Sequence, residues 1–78
     1  MTNKEYILDS LADGDEAETQ IKEFFKFVGV DISIDEIRKL ISEMLHDGLI
    51  CVNEKWVNEV GENPYAMTDK GKELWNKK

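Results

Sequence analysis

One cysteine and one histidine occur in this 78-residue sequence, so the thiolate and imidazole side chains that most often ligate transition metals are nearly absent. The two best metal ligands, His46 and Cys51, lie five positions apart, the first expected at a helix end and the second in a buried strand, which fits no zinc-ligand pattern. A charge partner for a helix C-terminus is the expected role of His46, and a small core side chain that of Cys51. A lone cysteine makes no internal disulfide, which fits a reducing cytoplasm. No apolar run approaches the ~20 residues that span a bilayer. The stretch Met1-Thr2-Asn3-Lys4-Glu5 lacks the basic and apolar blocks of a secretory signal, so a cytoplasmic location is expected. There is no glycine-rich phosphate loop. The carboxylates Asp13, Asp15, Glu16 and Glu18 do not follow calcium-loop spacing and are expected to favour a helix N-terminus instead. A chain this short has no room for a deep cleft with supporting shells. No enzymatic activity, metal or cofactor is therefore expected.

Positive charge is also scarce. Ten Lys and Arg face seventeen Asp and Glu, a net charge of −7, which disfavours generic attraction to a polyanion. Its distribution is uneven: −4 over residues 1–28, −3 over 29–48, −2 over 49–67 and +2 over 68–78.

Against these absences, 41% of the residues are hydrophobic and 35% charged, the balance of a soluble globular protein, expected to form one domain over residues 1–78. Thr2 and Glu5 have capping-box spacing, and Ile7, Leu8, Leu11 and Ala12 recur at helical intervals before Asp13-Gly14-Asp15, which predicts a first helix over Asn3 to Ala12. Ala17, Ile21, Phe24, Phe25 and Val28 form one apolar stripe of a second helix stopped by Gly29. In Ser33-Ile34-Asp35-Glu36, Ser33 can cap a new helix while Glu36 reaches back to the Ser33 amide. That third helix buries Ile34, Ile37, Leu40, Ile41, Met44 and Leu45 and ends at Asp47-Gly48. Its outer face carries Asp35, Glu36, Arg38, Lys39, Ser42, Glu43 and His46.

The branched run Leu49-Ile50-Cys51-Val52 predicts a strand, and Asn63-Pro64-Tyr65-Ala66-Met67 its hairpin partner, with Pro64 near the strand start where a missing N–H is tolerated. Asn53 to Glu62, containing Trp56, Val57 and Val60, is too long for a tight turn. Thr68 is placed to cap a last helix over Asp69 to Asn76, with Leu74 and Trp75 folding back on the core. Three helices followed by a hairpin, with a tight Gly29-Val30-Asp31-Ile32 link between the second and third, give an α+β winged helix-turn-helix: a three-helix core, a two-stranded wing and a short C-terminal helix.

Leu45-His46-Asp47-Gly48-Leu49-Ile50 resembles the Leu-x-x-x-Gly-Leu-Ile ending of recognition helices in PadR and MarR regulators of bacteria and archaea. Tyr65-Ala66-Met67-Thr68-Asp69-Lys70-Gly71 resembles their Tyr-x-Leu-Thr-x-x-Gly segment, with Met67 where Leu is usual, and Tyr6 to Gly14 resembles their first helix. The likeness implies a transcriptional regulator whose third helix enters the major groove of double-stranded DNA while the wing touches phosphate. Carried onto this sequence, the reading helix offers Arg38, Lys39 and Ser42, with Arg38 suited to grip guanine bidentately. Lys55 in the wing and Lys70 at the last helix are the phosphate contacts, and Lys72, Lys77 and Lys78 can add to them. A homodimer would meet two half-sites about one helical turn apart. The opposing expectation for Arg38 and Lys39 is a solvated helix face, in which Asp35 and Glu36 pair with Lys39. A different function altogether is a protein-interaction module without DNA binding, favoured by the acidic wing and by Phe27, Trp56 and Trp75, since aromatics are enriched at interface cores. Singly, Trp75 is expected on the core and Trp56 bracing the wing, while Phe27 is either core edge or a partner contact.

Overall fold

The computed structural model describes residues 1–77. Its elements run α1 (Asn3–Ala12), α2 (Glu18–Phe27), α3 (Ile34–His46), β1 (Ile50–Val52), β2 (Tyr65–Met67) and α4 (Asp69–Asn76), the winged helix-turn-helix the sequence predicts.

Each helix begins on a named cap. The Thr2 hydroxyl accepts from the Glu5 amide at 3.2 Å and Glu5 Oε1 accepts from the Thr2 amide at 2.6 Å, a complete capping box. At α3 only half of the expected box forms: Ser33 Oγ accepts from the Glu36 amide at 3.1 Å. Ala17 precedes α2 as its cap residue, and its amide is satisfied by Gln20 Oε1 at 2.8 Å. Thr68 does two things at once, accepting from the Gly71 amide at 3.1 Å and donating its hydroxyl to the Gly48 carbonyl at 2.5 Å.

The ends of α2 and α3 are built alike. Gly29 and Gly48 have φ of 79° and 74°, a left-handed conformation that costs a residue with a Cβ about 1–2 kcal/mol. From there the Val30 amide reaches the Phe25 carbonyl at 2.9 Å and the Leu49 amide the Met44 carbonyl at 2.9 Å, the paired bonds of a Schellman motif. The second motif delivers Leu49 to the core and shortens β1, which begins at Ile50 rather than Leu49.

Ile7, Leu8 and Leu11 of α1, Ile21 and Phe25 of α2, Ile37, Ile41 and Met44 of α3, with Ile32, Leu49 and Ile50, form one core cluster. The Tyr6 ring meets Phe25 edge-on, with centroids 5.8 Å apart. Phe24 and Val28 are only half-buried, and Ala12 is exposed although it continues the apolar spacing of α1. Leu74 is also largely exposed, so Trp75 alone of the expected pair packs on the core.

β1 and β2 pair antiparallel, Ile50 opposite Met67, Cys51 opposite Ala66 and Val52 opposite Tyr65. Strand alternation puts Ile50 inward and turns Cys51 outward. Cys51 is therefore an exposed free thiol and not the expected core residue. Glu16 adds a bridge that the sequence does not announce: its amide donates to the Tyr65 carbonyl at 3.2 Å and its carbonyl accepts from the Tyr65 amide at 2.8 Å. The segment before α2 thus clips onto the free edge of β2.

Candidate nucleic-acid interface

The core stripe of α3 faces α1 and α2, so the helix turns Arg38, Lys39 and Ser42 to solvent. Arg38 and Ser42 line a shallow groove of about 240 Å³ with Glu18, Ile41, Leu45 and Tyr65, at the meeting of the α2 N-terminus, the outer face of α3 and β2. The Arg38 Nε–H donates to Glu18 Oε1. Asp35 Oδ1 lies 3.8 Å from Arg38 Nη1. The bond and charge of Glu18 hold the guanidinium even more firmly protonated than usual, with smaller contributions from Asp35 and from Glu62 of the wing. The expected pairing of Lys39 with Asp35 and Glu36 does not form; Lys39 makes no ion pair among the described residues.

Lys70 and Lys55 stand apart from this group. Lys70 Nζ donates to the Asp47 carbonyl at 2.7 Å, capping the C-terminus of α3 about 14 Å along the helix axis from Arg38. Lys55 is exposed beside Glu54, its amide bonded to Asn53 Oδ1 at 3.1 Å. Lys72 is exposed and Lys77 Nζ sits 3.9 Å from Glu73; Lys78 lies outside the described residues. The five expected contacts are therefore one compact trio on α3 and two separate lysines.

The wing loop is ordered by its own side chains. Asn58 Oδ1 accepts from the amides of Val60 at 3.1 Å and Glu62 at 2.8 Å, and its Nδ2 donates to Glu62 Oε1 at 3.0 Å. Gly61, with φ of 84°, closes the turn. Bonds from Asn58 first, and then from Thr19, hold the Glu62 carboxyl below its usual range. Asn53 Nδ2 donates to Asp15 Oδ2 at 2.7 Å. The wing is thereby tied to the segment just before and inside α2. Its tip leaves Trp56 68% exposed, with Val57 and Val60 also outside, so Trp56 does not brace the wing as the sequence suggests. Phe27 is 87% exposed on the far end of α2.

Glu18 is the residue that sequence reasoning misses. It sits twenty positions from Arg38, and no spacing rule links the two; only the α2–α3 crossing brings them together. Among the described residues no group of three or more His, Cys, Asp or Glu side chains is placed to hold a metal ion, and no helix is long and apolar enough to cross a membrane.

No family model and no curated protein matches the sequence. The fold, however, matches solved structures over nearly its whole length. Bacillus subtilis PadR, solved in complex with operator DNA, is similar with a TM-score of 0.78 and 20% identity over 95% of this chain. The chain spans only 44% of that PadR. A PadR family transcription regulator from Clostridium difficile is similar with a TM-score of 0.81 and 18% identity, covering 95% of this chain and 79% of that one. The Thermoplasma acidophilum protein TA0346 gives a TM-score of 0.78 and 26% identity, over 96% of this chain and 74% of its own.

Proposed function

We propose that this chain is a single-domain, cytoplasmic winged-helix transcription regulator that binds double-stranded DNA and catalyses no reaction. Arg38, Lys39 and Ser42 meet base edges in the major groove, while Lys55 and Lys70 touch phosphate. One observation carries this: the trio stands together on the solvent face of α3, in a fold similar to a PadR solved on operator DNA. Lys70 spends one N–H on Asp47, and an ammonium has two more for phosphate oxygens. A homodimer would supply two such faces and offset the weak electrostatics of each.

Fluorescence anisotropy with mixed-sequence duplex at low and moderate salt tests the proposal. Arg38→Ala should weaken a preferred sequence selectively, whereas Lys70→Ala should weaken all sequences and lower the salt dependence. Equal losses on every sequence from both changes would remove the reading helix from the account.

One observation favours a second function, docking to a protein. Trp56, Val57 and Val60 are each exposed in the wing loop, among Glu54, Glu59 and the single cation Lys55, an apolar and mostly acidic segment that suits a cationic protein surface better than phosphate. Retained DNA binding in Trp56→Ala would leave the wing free for such a partner.

A further inference from the structure

Arg38 is the only arginine in the sequence, and it is held by a residue from another helix. Its Nε–H is bonded to Glu18 Oε1, and the two ends of the pair differ sharply in exposure: the Glu18 side chain is 20% exposed and that of Arg38 62%. The pair is anchored on its acidic side and open on its basic side. A guanidinium bonded through Nε still presents its Nη1/Nη2 edge as two parallel donors. On that edge Asp35 Oδ1 lies 3.8 Å from Nη1, and it is 91% exposed on a flexible side chain, so an incoming acceptor displaces it without unburying anything.

Two physical consequences follow. Glu18 cancels most of the long-range pull of Arg38 on phosphate, so what the pair retains is directional donation rather than charge attraction. An arginine already fixed on folding also gives up little rotamer freedom when it meets its acceptor. In the major groove the base that offers two acceptors side by side is guanine, through N7 and O6. We infer that Glu18 is a positioning residue that holds Arg38 for end-on bidentate reading of one guanine in the DNA site. This rests on the DNA-binding function proposed above. The opposite role, a lock in which Glu18 withholds Arg38 from DNA, predicts effects of the opposite sign.

The test starts from selection of bound duplexes from a random-sequence pool at low salt, followed by titration of the selected duplex and of the same duplex with each guanine replaced in turn. For the unaltered protein, replacing one guanine should cost about tenfold or more in affinity, and Arg38→Ala should abolish that difference. Glu18→Ala should reduce the discrimination to about threefold or less while leaving affinity for generic duplex unchanged or slightly higher. Glu18→Gln, which keeps an acceptor and spares the fold, should retain an intermediate ratio; a purely structural role of Glu18 would lower all affinities together and leave the ratio intact. Full discrimination in both Glu18 variants, or tighter binding of the selected site in either, would overturn the positioning role while the DNA-binding function stood. If no duplex from the pool binds at low salt, that function fails and the positioning role falls with it.

Discussion

The two surfaces that a winged helix can offer DNA are built on opposite terms in this protein. The outer face of α3 is backed by the core through Ile37, Ile41 and Met44, and its one arginine is tied to α2. The wing is held at its base by β pairing and by Asn53 and Glu62, but its tip exposes apolar side chains among carboxylates. The difference teaches that fold and use separate within one small domain. The helix holds its arginine against the neighbouring helix, whereas the wing carries a single cation, Lys55, among Glu54, Glu59 and Glu62.

The largest expected effect breaks the comparison by removing the support the two surfaces share. A Cβ at Gly71 would stand 2.1 Å from the Leu49 carbonyl oxygen and 3.0 Å from Met67 Cγ. Because the first of these is backbone, Gly71→Ala should cost about 3 kcal/mol, lowering the melting midpoint of a domain this size by roughly 15 °C. Differential scanning calorimetry checks it.

Asn58→Ala sharpens the comparison by loosening the wing alone. It removes the turn bonds to Val60 and Glu62, at a cost of about 1 kcal/mol. Hydrogen exchange should speed up at Val60, Gly61 and Glu62 and stay unchanged along α3. Trp56→Ala, at a side chain already mostly in water, should move stability by less than about 0.5 kcal/mol. Its chemical denaturation curve should overlay that of the parent.

The smallest effect is electrostatic. Burial, and then Asp13 and Asp15, hold the Glu16 carboxyl above its usual value. With the folded value above the unfolded one, Glu16 favours the folded state below the ordinary carboxyl range, and that contribution is lost as pH rises through the raised value. Glu16→Gln should therefore raise the melting midpoint at pH 7 by about 1 °C, with the gain vanishing under acid. Glu62, held low, behaves oppositely: Glu62→Gln should lower the midpoint at pH 7, and the loss should fade as pH falls through the depressed value.

Local chemistry made most of the fold legible. Thr2 and Glu5, Ser33, Gly29, Gly48 and Thr68 announce helix starts and stops within a few positions, and those starts and stops occur where the spacing places them. What escaped was long-range or depended on strand register. Cys51 reads as core because it sits in an apolar run, but strand alternation turns it to the face opposite Ile50. The Glu16–Tyr65 bridge and the Glu18–Arg38 pair join residues distant in sequence. Of the candidate site, helical periodicity made legible that Arg38, Lys39 and Ser42 face solvent on α3, while their choice as DNA contacts came from the family resemblance. Their electrostatic setting was not legible, since two of the carboxylates around Arg38, Glu18 and Glu62, arrive from α2 and the wing.

An amide-shift NMR titration of the labelled protein with the selected duplex, at low and then moderate salt, tests the central claim most directly. The account predicts shifts along the outer face of α3 and at Glu18, with smaller ones at Lys55 and Lys70, all reduced by salt. Shifts centred on the wing tip with α3 silent, or no shifts at low salt, would contradict it.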